Sequence, residues 1–185
     1  TEATRHRFTR ELGDGTIDEE VFRRYLVQDY AFVGALVGAF GHAVGDAPTM
    51  AAKRRLVEFL DVLTDEENDY FERAFDALSV PEADRTNPAR TPTTRAFEDV
   101  LGRAVREGGY AETLAVLVPA EWIYLEWASA AATPDRFYLA EWIDLQDNEE
   151  FESFVNWPRG DLDRGGVPAA ARRRAGLDGL CRRTG

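Results

Sequence analysis

The chain has 185 residues, 44% of them hydrophobic, enough to bury the core of one domain and few for two. Its formal net charge of -12, from 34 acidic against 22 basic side chains, argues against binding nucleic acid or an anionic membrane through a basic surface. The single cysteine, Cys181, excludes an intrachain disulfide framework, and no charge-free apolar run approaches the length of a bilayer.

Residues 6–12 read as a short amphipathic segment that ends at the turn Gly13-Asp14-Gly15. Thr16-Ile17-Asp18-Glu19 has the spacing of a capping box, and Phe22, Tyr25, Leu26, Phe32, Val33, Leu36 and Phe40 then form one long apolar helical stripe. Asp29 lies in the middle of that stripe. An ionised carboxylate loses its water on entering a low-dielectric core, so Asp29 is either tied to a neighbouring helix by a structural hydrogen bond or retained for function. Its central, aromatic-lined position favours function.

Gly45-Asp46-Ala47-Pro48 ends this helix, and the next is expected to run to about Leu78 with Leu56, Phe59, Leu60, Leu63, Tyr70, Phe71, Ala74 and Leu78 inward. Glu67 falls on that inner face between Leu63 and Phe71. It either reaches an interior partner or belongs with Asp65 and Glu66 to a solvated acidic run. Residues 79–94, with Pro81, Pro88 and Pro92, read as a loop, and residues 95–106 as a helix with Phe97, Val100, Leu101 and Ala104 inward.

Gly108-Gly109 separates that helix from the most apolar one, which begins at Tyr110 and runs on through Pro119 to Ala128. A proline inside a helix removes one backbone hydrogen bond and crowds the carbonyl four residues back, so a kink is expected over residues 115–119. Glu121 then shares a face with Tyr124, Leu125 and Ala128, because spacings of three, four and seven coincide on a helix. Two short helices follow Thr133-Pro134, the first carrying Phe137, Leu139, Ala140, Ile143 and Leu145, the second Phe151, Phe154 and Val155 with Trp157. Residues 165–185 show only a weak pattern, read as a helical tail. The whole, 1–185, reads as a single all-α domain, an up-and-down helical bundle whose ligand site lies between helices.

The chemical inventory is short. His6 and His42 are the only histidines and belong to no HxxxH or ExxH pair, so neither a metal site nor a cofactor is expected; His42 reads as a helix-end hydrogen bonder. Cys181 reads as a surface or packing thiol. No P-loop or GxGxxG occurs. What remains is a pair of interior carboxylates, Asp29 and Glu121, among tyrosines and phenylalanines. That combination suits a small flat nitrogen heterocycle, which stacks on aromatic faces and donates from an exocyclic amine to a carboxylate. With no basic-then-apolar leader at its start, the chain is expected in the cytoplasm. Lys53 is its only lysine, and an acidic, lysine-poor composition resembles that of proteins from a high-salt cytoplasm.

The His6-x-Phe8 opening, Phe22-x-x-Tyr-Leu-x-Gln-Asp-Tyr30, residues 65–71, Pro119-Ala-Glu-Trp-Ile-Tyr124, and Tyr138-x-x-x-Trp-Ile143 followed by Phe151-x-x-Phe-Val155 together resemble the TenA family, also called thiaminase II, of the haem-oxygenase-like fold. The likeness runs to about Arg164. It implies salvage of the pyrimidine half of thiamine, with Asp29 anchoring the pyrimidine's amino edge and Tyr124 a pocket hydrogen bonder. Many members carry a nucleophilic cysteine where this chain has Ala120, so the resemblance is to the branch that uses glutamate, here Glu121, and acts on aminomethyl- or formylaminomethyl-pyrimidines. Phe32, Phe97 and Leu145 then stand where the cysteine branch has pocket tyrosines, and Glu67 joins Phe32, Phe97 and Tyr124 in binding substrate. The family usually ends in a helix with a glutamate near a Phe-Phe or Phe-Trp pair, a pattern not found before Gly185. This motivates a second expectation, a pyrimidine-binding protein without turnover; a third is a bundle whose carboxylates only hold helices together. The resemblance implies a homodimer or homotetramer.

Overall fold

The computed structural model describes residues 5–161, and among them the chain forms nine α-helices and no strand. These are α1 (Arg7–Gly13), α2 (Glu19–Asp46), α3 (Met50–Thr64), α4 (Glu66–Ala77), α5 (Glu82–Thr86), α6 (Pro92–Arg103), α7 (Tyr110–Ala128), α8 (Phe137–Gln146) and α9 (Glu149–Asp161), with a π-turn at Ala104–Gly108. The tail read over 165–185 and Cys181 lie outside the described residues.

Local chemistry sets the helix starts. His6 caps α1, its Nδ1 accepting from the Phe8 amide at 3.2 Å. Asp18, not Thr16, caps α2: its Oδ1 accepts from the Glu20 and Val21 amides at 3.0 and 3.2 Å. The Thr16 and Ile17 amides donate to the Glu11 carbonyl, so these two residues belong to the turn fastened to α1 and the helix starts after them. Thr91 caps α6 through its hydroxyl, with Pro92 at the first helical position.

Three expectations change. The helix read as continuous to Leu78 divides at Asp65 (φ -111°, ψ -84°), although the Asp65 and Asp69 amides still bond backward on either side. At the break Asp65 and Glu66 are exposed, while Glu67 keeps its inward position at 8% exposure. Within the expected loop, residues 82–86 form α5. On α6 only Leu101 is buried, while Phe97 and Val100 are 37% and 39% exposed, because α6 packs chiefly along α2 and borders the bundle instead of crossing it. Pro119 lies within α7 without ending it.

Two apolar clusters fill the interior. The first gathers Phe22, Leu26 and Val33 of α2, Tyr70, Phe71 and Phe75 of α4, Trp127 of α7, and Leu139 and Trp142 of α8. The second gathers Leu36 and Phe40 of α2, Leu56, Phe59 and Leu63 of α3, Leu114, Leu117 and Val118 of α7, and Phe151 and Phe154 of α9. The long helices α2 and α7 run through both clusters. Burial at about 25 cal/mol per Å2 of apolar surface makes these clusters the main source of stability, and the boundary between them is where polar groups are seated.

Candidate active site

Three buried or half-buried carboxyl groups lie along that boundary. Asp29 stands between Leu26 of the first cluster and Leu36 of the second; Glu67 between Leu63 of the second and Tyr70 of the first; Glu121 between Val118 of the second and Trp127 of the first. Tyr124, one turn beyond Glu121, packs against both clusters. Helical periodicity alone seats these groups inward, since each occupies an apolar-stripe position of its own helix.

The Tyr124 hydroxyl donates to Asp29 Oδ1 at 3.0 Å, and the Tyr25 and Tyr124 hydroxyls lie 3.3 Å apart. Tyr25 is four residues before Asp29 on the same face of α2, so the two helices present a Tyr25–Tyr124–Asp29 relay. Burial pushes the Asp29 carboxyl up to about 7, against the pull of the Tyr124 and Tyr25 hydroxyls, which favour its ionised form. Glu121, 6% exposed, is pushed up to about 8 by burial and then by the charge of Asp29. Burial, with Asp29 and Glu121 adding to it, holds Glu67 well above the usual carboxylate range. Among the described residues no arginine or lysine pairs with any of the three. The result is an acid cluster that retains protons near neutral pH, separated into groups of differing affinity.

Aromatic rings enclose the cluster. Phe32, one turn after Asp29, stacks on Phe97 of α6 with centroids 4.6 Å apart and planes 9° from parallel. Trp142 lies beside the tyrosines, 6.3 Å from the Tyr25 ring and 6.1 Å from Tyr124, and stacks on Tyr70 at 5.4 Å. The Tyr30 hydroxyl donates to Asn68 Oδ1 at 2.9 Å, which fixes the start of α4, and so Glu67, against α2.

Asp29, Glu67, Glu121 and Tyr124 are thus brought together as expected from their helical faces, and Phe32 and Phe97 form a paired wall one turn from Asp29. Sequence reasoning assigned no site role to Tyr25 or to Gln28, whose side chain bonds the chain ahead of α6; both lie inside the Phe22–Tyr30 motif, which was the available signal. Nor did it single out Gln146, 4% exposed at the end of α8, between Ile143 of the first cluster and Phe151 of the second. Its only signal was a polar residue closing an apolar run. Among the described residues no three His, Cys, Asp or Glu side chains are placed to hold a metal ion.

Chemically, a protonated buried carboxyl such as Glu121 is a general acid, and an Asp29 already accepting from tyrosine is an oriented acceptor for an N–H group.

The TENA/THI-4/PQQC family model matches residues 1–173. A curated relative named aminopyrimidine aminohydrolase, from Halalkalibacterium halodurans, is 26% identical over 94% of this chain and 79% of its own length. One of the same name from Helicobacter pylori is 24% identical over 85% of this chain and 75% of its own. Among solved structures, a TenA homologue from P. horikoshii OT3 shares the fold with a TM-score of 0.82 at 22% identity, over 94% of this chain and 84% of that one.

Proposed function

Because the chain belongs to the TENA/THI-4/PQQC family, we propose that it is a thiamine-salvage hydrolase that cleaves the exocyclic C–N bond of an aminomethyl-pyrimidine. The observation that carries this reading is the pairing across α2 and α7: an oriented carboxyl, Asp29 held by Tyr124, beside a buried proton-bearing one, Glu121.

Asp29 accepts from the ring's amino group and fixes the pyrimidine in plane. Glu121 gives its proton to the exocyclic amine, the C–N bond breaks toward nitrogen with the ring amino lone pair supplying electrons, and ammonia leaves. Water then bonds to the methylene carbon and returns a proton to the Glu121 carboxylate, so one water enters, one ammonia departs and the hydroxymethyl-pyrimidine is formed. Beside them, burial and the two neighbouring carboxyls favour the neutral form of Glu67. The reading is tested by incubating the protein with aminomethyl- and formylaminomethyl-pyrimidine and measuring ammonia and formate. Ammonia release that Glu121→Gln abolishes supports it, and wild-type protein that binds hydroxymethyl-pyrimidine but releases neither product would favour a non-catalytic binder.

A further inference from the structure

Gln28, the residue before Asp29, does something the acid cluster does not require. Its Nε2 donates to the Ala89 carbonyl at 3.1 Å, while its Oε1 accepts from the Thr91 amide and from the Thr94 hydroxyl, both at 2.8 Å. One side chain on α2 thus holds three groups of the 89–94 segment, including the residue that caps α6. Thr91 turns its own hydroxyl to the Thr94 amide at 3.2 Å, so its backbone N–H needs a partner from outside the helix, and Gln28 is that partner.

Gln28 and Phe32 are four residues apart on α2; Thr94 and Phe97 are three apart on α6. Both spacings place each pair on one helix face. The two helices therefore meet through two rungs, a polar one at Gln28–Thr94 and an aromatic one at Phe32–Phe97. Phe97 is 37% exposed and lies outside both core clusters, with the Phe32 ring as its stacked partner.

We propose that Gln28 is a positioning residue that sets the start of α6 and thereby holds the Phe97 ring against Phe32, fixing the aromatic wall one turn from Asp29. The part of this inference that concerns substrate rests on the pyrimidine-hydrolase reading; the part that concerns the wall does not.

The test compares wild type, Gln28→Ala and Gln28→Glu by amide hydrogen exchange at Thr91, by nuclear Overhauser contacts between the Phe32 and Phe97 rings, and by KM and kcat with aminomethyl-pyrimidine. Glutamate keeps both acceptor bonds but sets a carboxylate oxygen against the Ala89 carbonyl in place of the amide donor. In Gln28→Ala the Thr91 amide is expected to exchange roughly tenfold faster, the ring contacts to weaken, and KM to rise about five- to tenfold with a smaller change in kcat. Gln28→Glu, which retains the two acceptor bonds, is expected to protect the Thr91 amide and keep the ring contacts better than Gln28→Ala does. Unchanged Thr91 exchange or unchanged Phe32–Phe97 contacts in Gln28→Ala would overturn the proposal, as would faster exchange with an unaltered KM. If wild type turns over no pyrimidine, the substrate reading fails by itself, and the exchange and ring contacts still decide whether Gln28 positions the wall.

Discussion

The Tyr124 hydroxyl donates to Asp29 Oδ1 at 3.0 Å and so joins α7 to α2 at the line where the two apolar clusters meet. Without it, burial alone would act on Asp29 from that side, and burial favours the neutral acid.

Tyr124→Phe therefore moves the Asp29 carboxyl further up, because it deletes a bond that favours the ionised form. The pH above which hydroxymethyl-pyrimidine binds well should rise, and affinity at pH 7 should fall about five- to tenfold. Titrations from pH 6 to 9 on wild type and variant check the direction.

Glu121 and Asp29 both sit above their ordinary values of 4.5 and 3.8, at about 8 and about 7. Between roughly pH 4 and 8 the folded protein keeps protons that the unfolded chain releases, so folding stability falls as pH rises through that window. Glu121→Gln removes one such group. Its stability relative to wild type should be on the order of 2–3 kcal/mol more favourable at pH 8 than at pH 5, read from denaturant unfolding at the two values.

Burial, and then the charges of Asp29 and Glu121, hold the Glu67 carboxyl well above the usual carboxylate range and favour its neutral form. Glu67→Gln should leave the fold and pyrimidine affinity close to wild type. Glu67→Ala opens a cavity between Leu63 and Tyr70 and should cost on the order of 2 kcal/mol in unfolding free energy.

Gly109 begins α7 at φ 79°, and a Cβ there would meet nothing nearer than the Asp46 Oδ2 at 4.0 Å. With ψ at -159° this backbone is nearly restricted to glycine, so the cost of Gly109→Ala is backbone strain, about 1–3 kcal/mol by thermal unfolding, with no steric clash added.

Much of this arrangement was legible in the sequence, for one reason: on a helix, spacing states which residues share a face. The inward seats of Asp29, Glu67, Glu121 and Tyr124 follow from that, as do the bundle and most helix ranges. What was not legible depended on neighbours. The start of α2 turned on where the preceding turn ends, and the Thr16 and Ile17 amides, bonded to Glu11, carry that turn on toward the Asp18 cap. The division at Asp65 left no gap in the apolar period, since Leu63 and Glu67 keep their spacing. Phe97 and Val100 have a buried pattern yet lie at the bundle's border, because periodicity shows a face and not what covers it. Gln28 and Tyr25 looked like ordinary members of a motif until the helices they bond were placed beside them.

The central claim, that Asp29 anchors a pyrimidine next to Glu121, is tested most directly by calorimetric titration of hydroxymethyl-aminopyrimidine into wild type and Asp29→Asn at high salt. Wild type is expected to bind and the variant to lose at least about tenfold in affinity, since an amide in place of the carboxylate lacks the charge that favours the amino edge. Equal binding by the two folded proteins would contradict it.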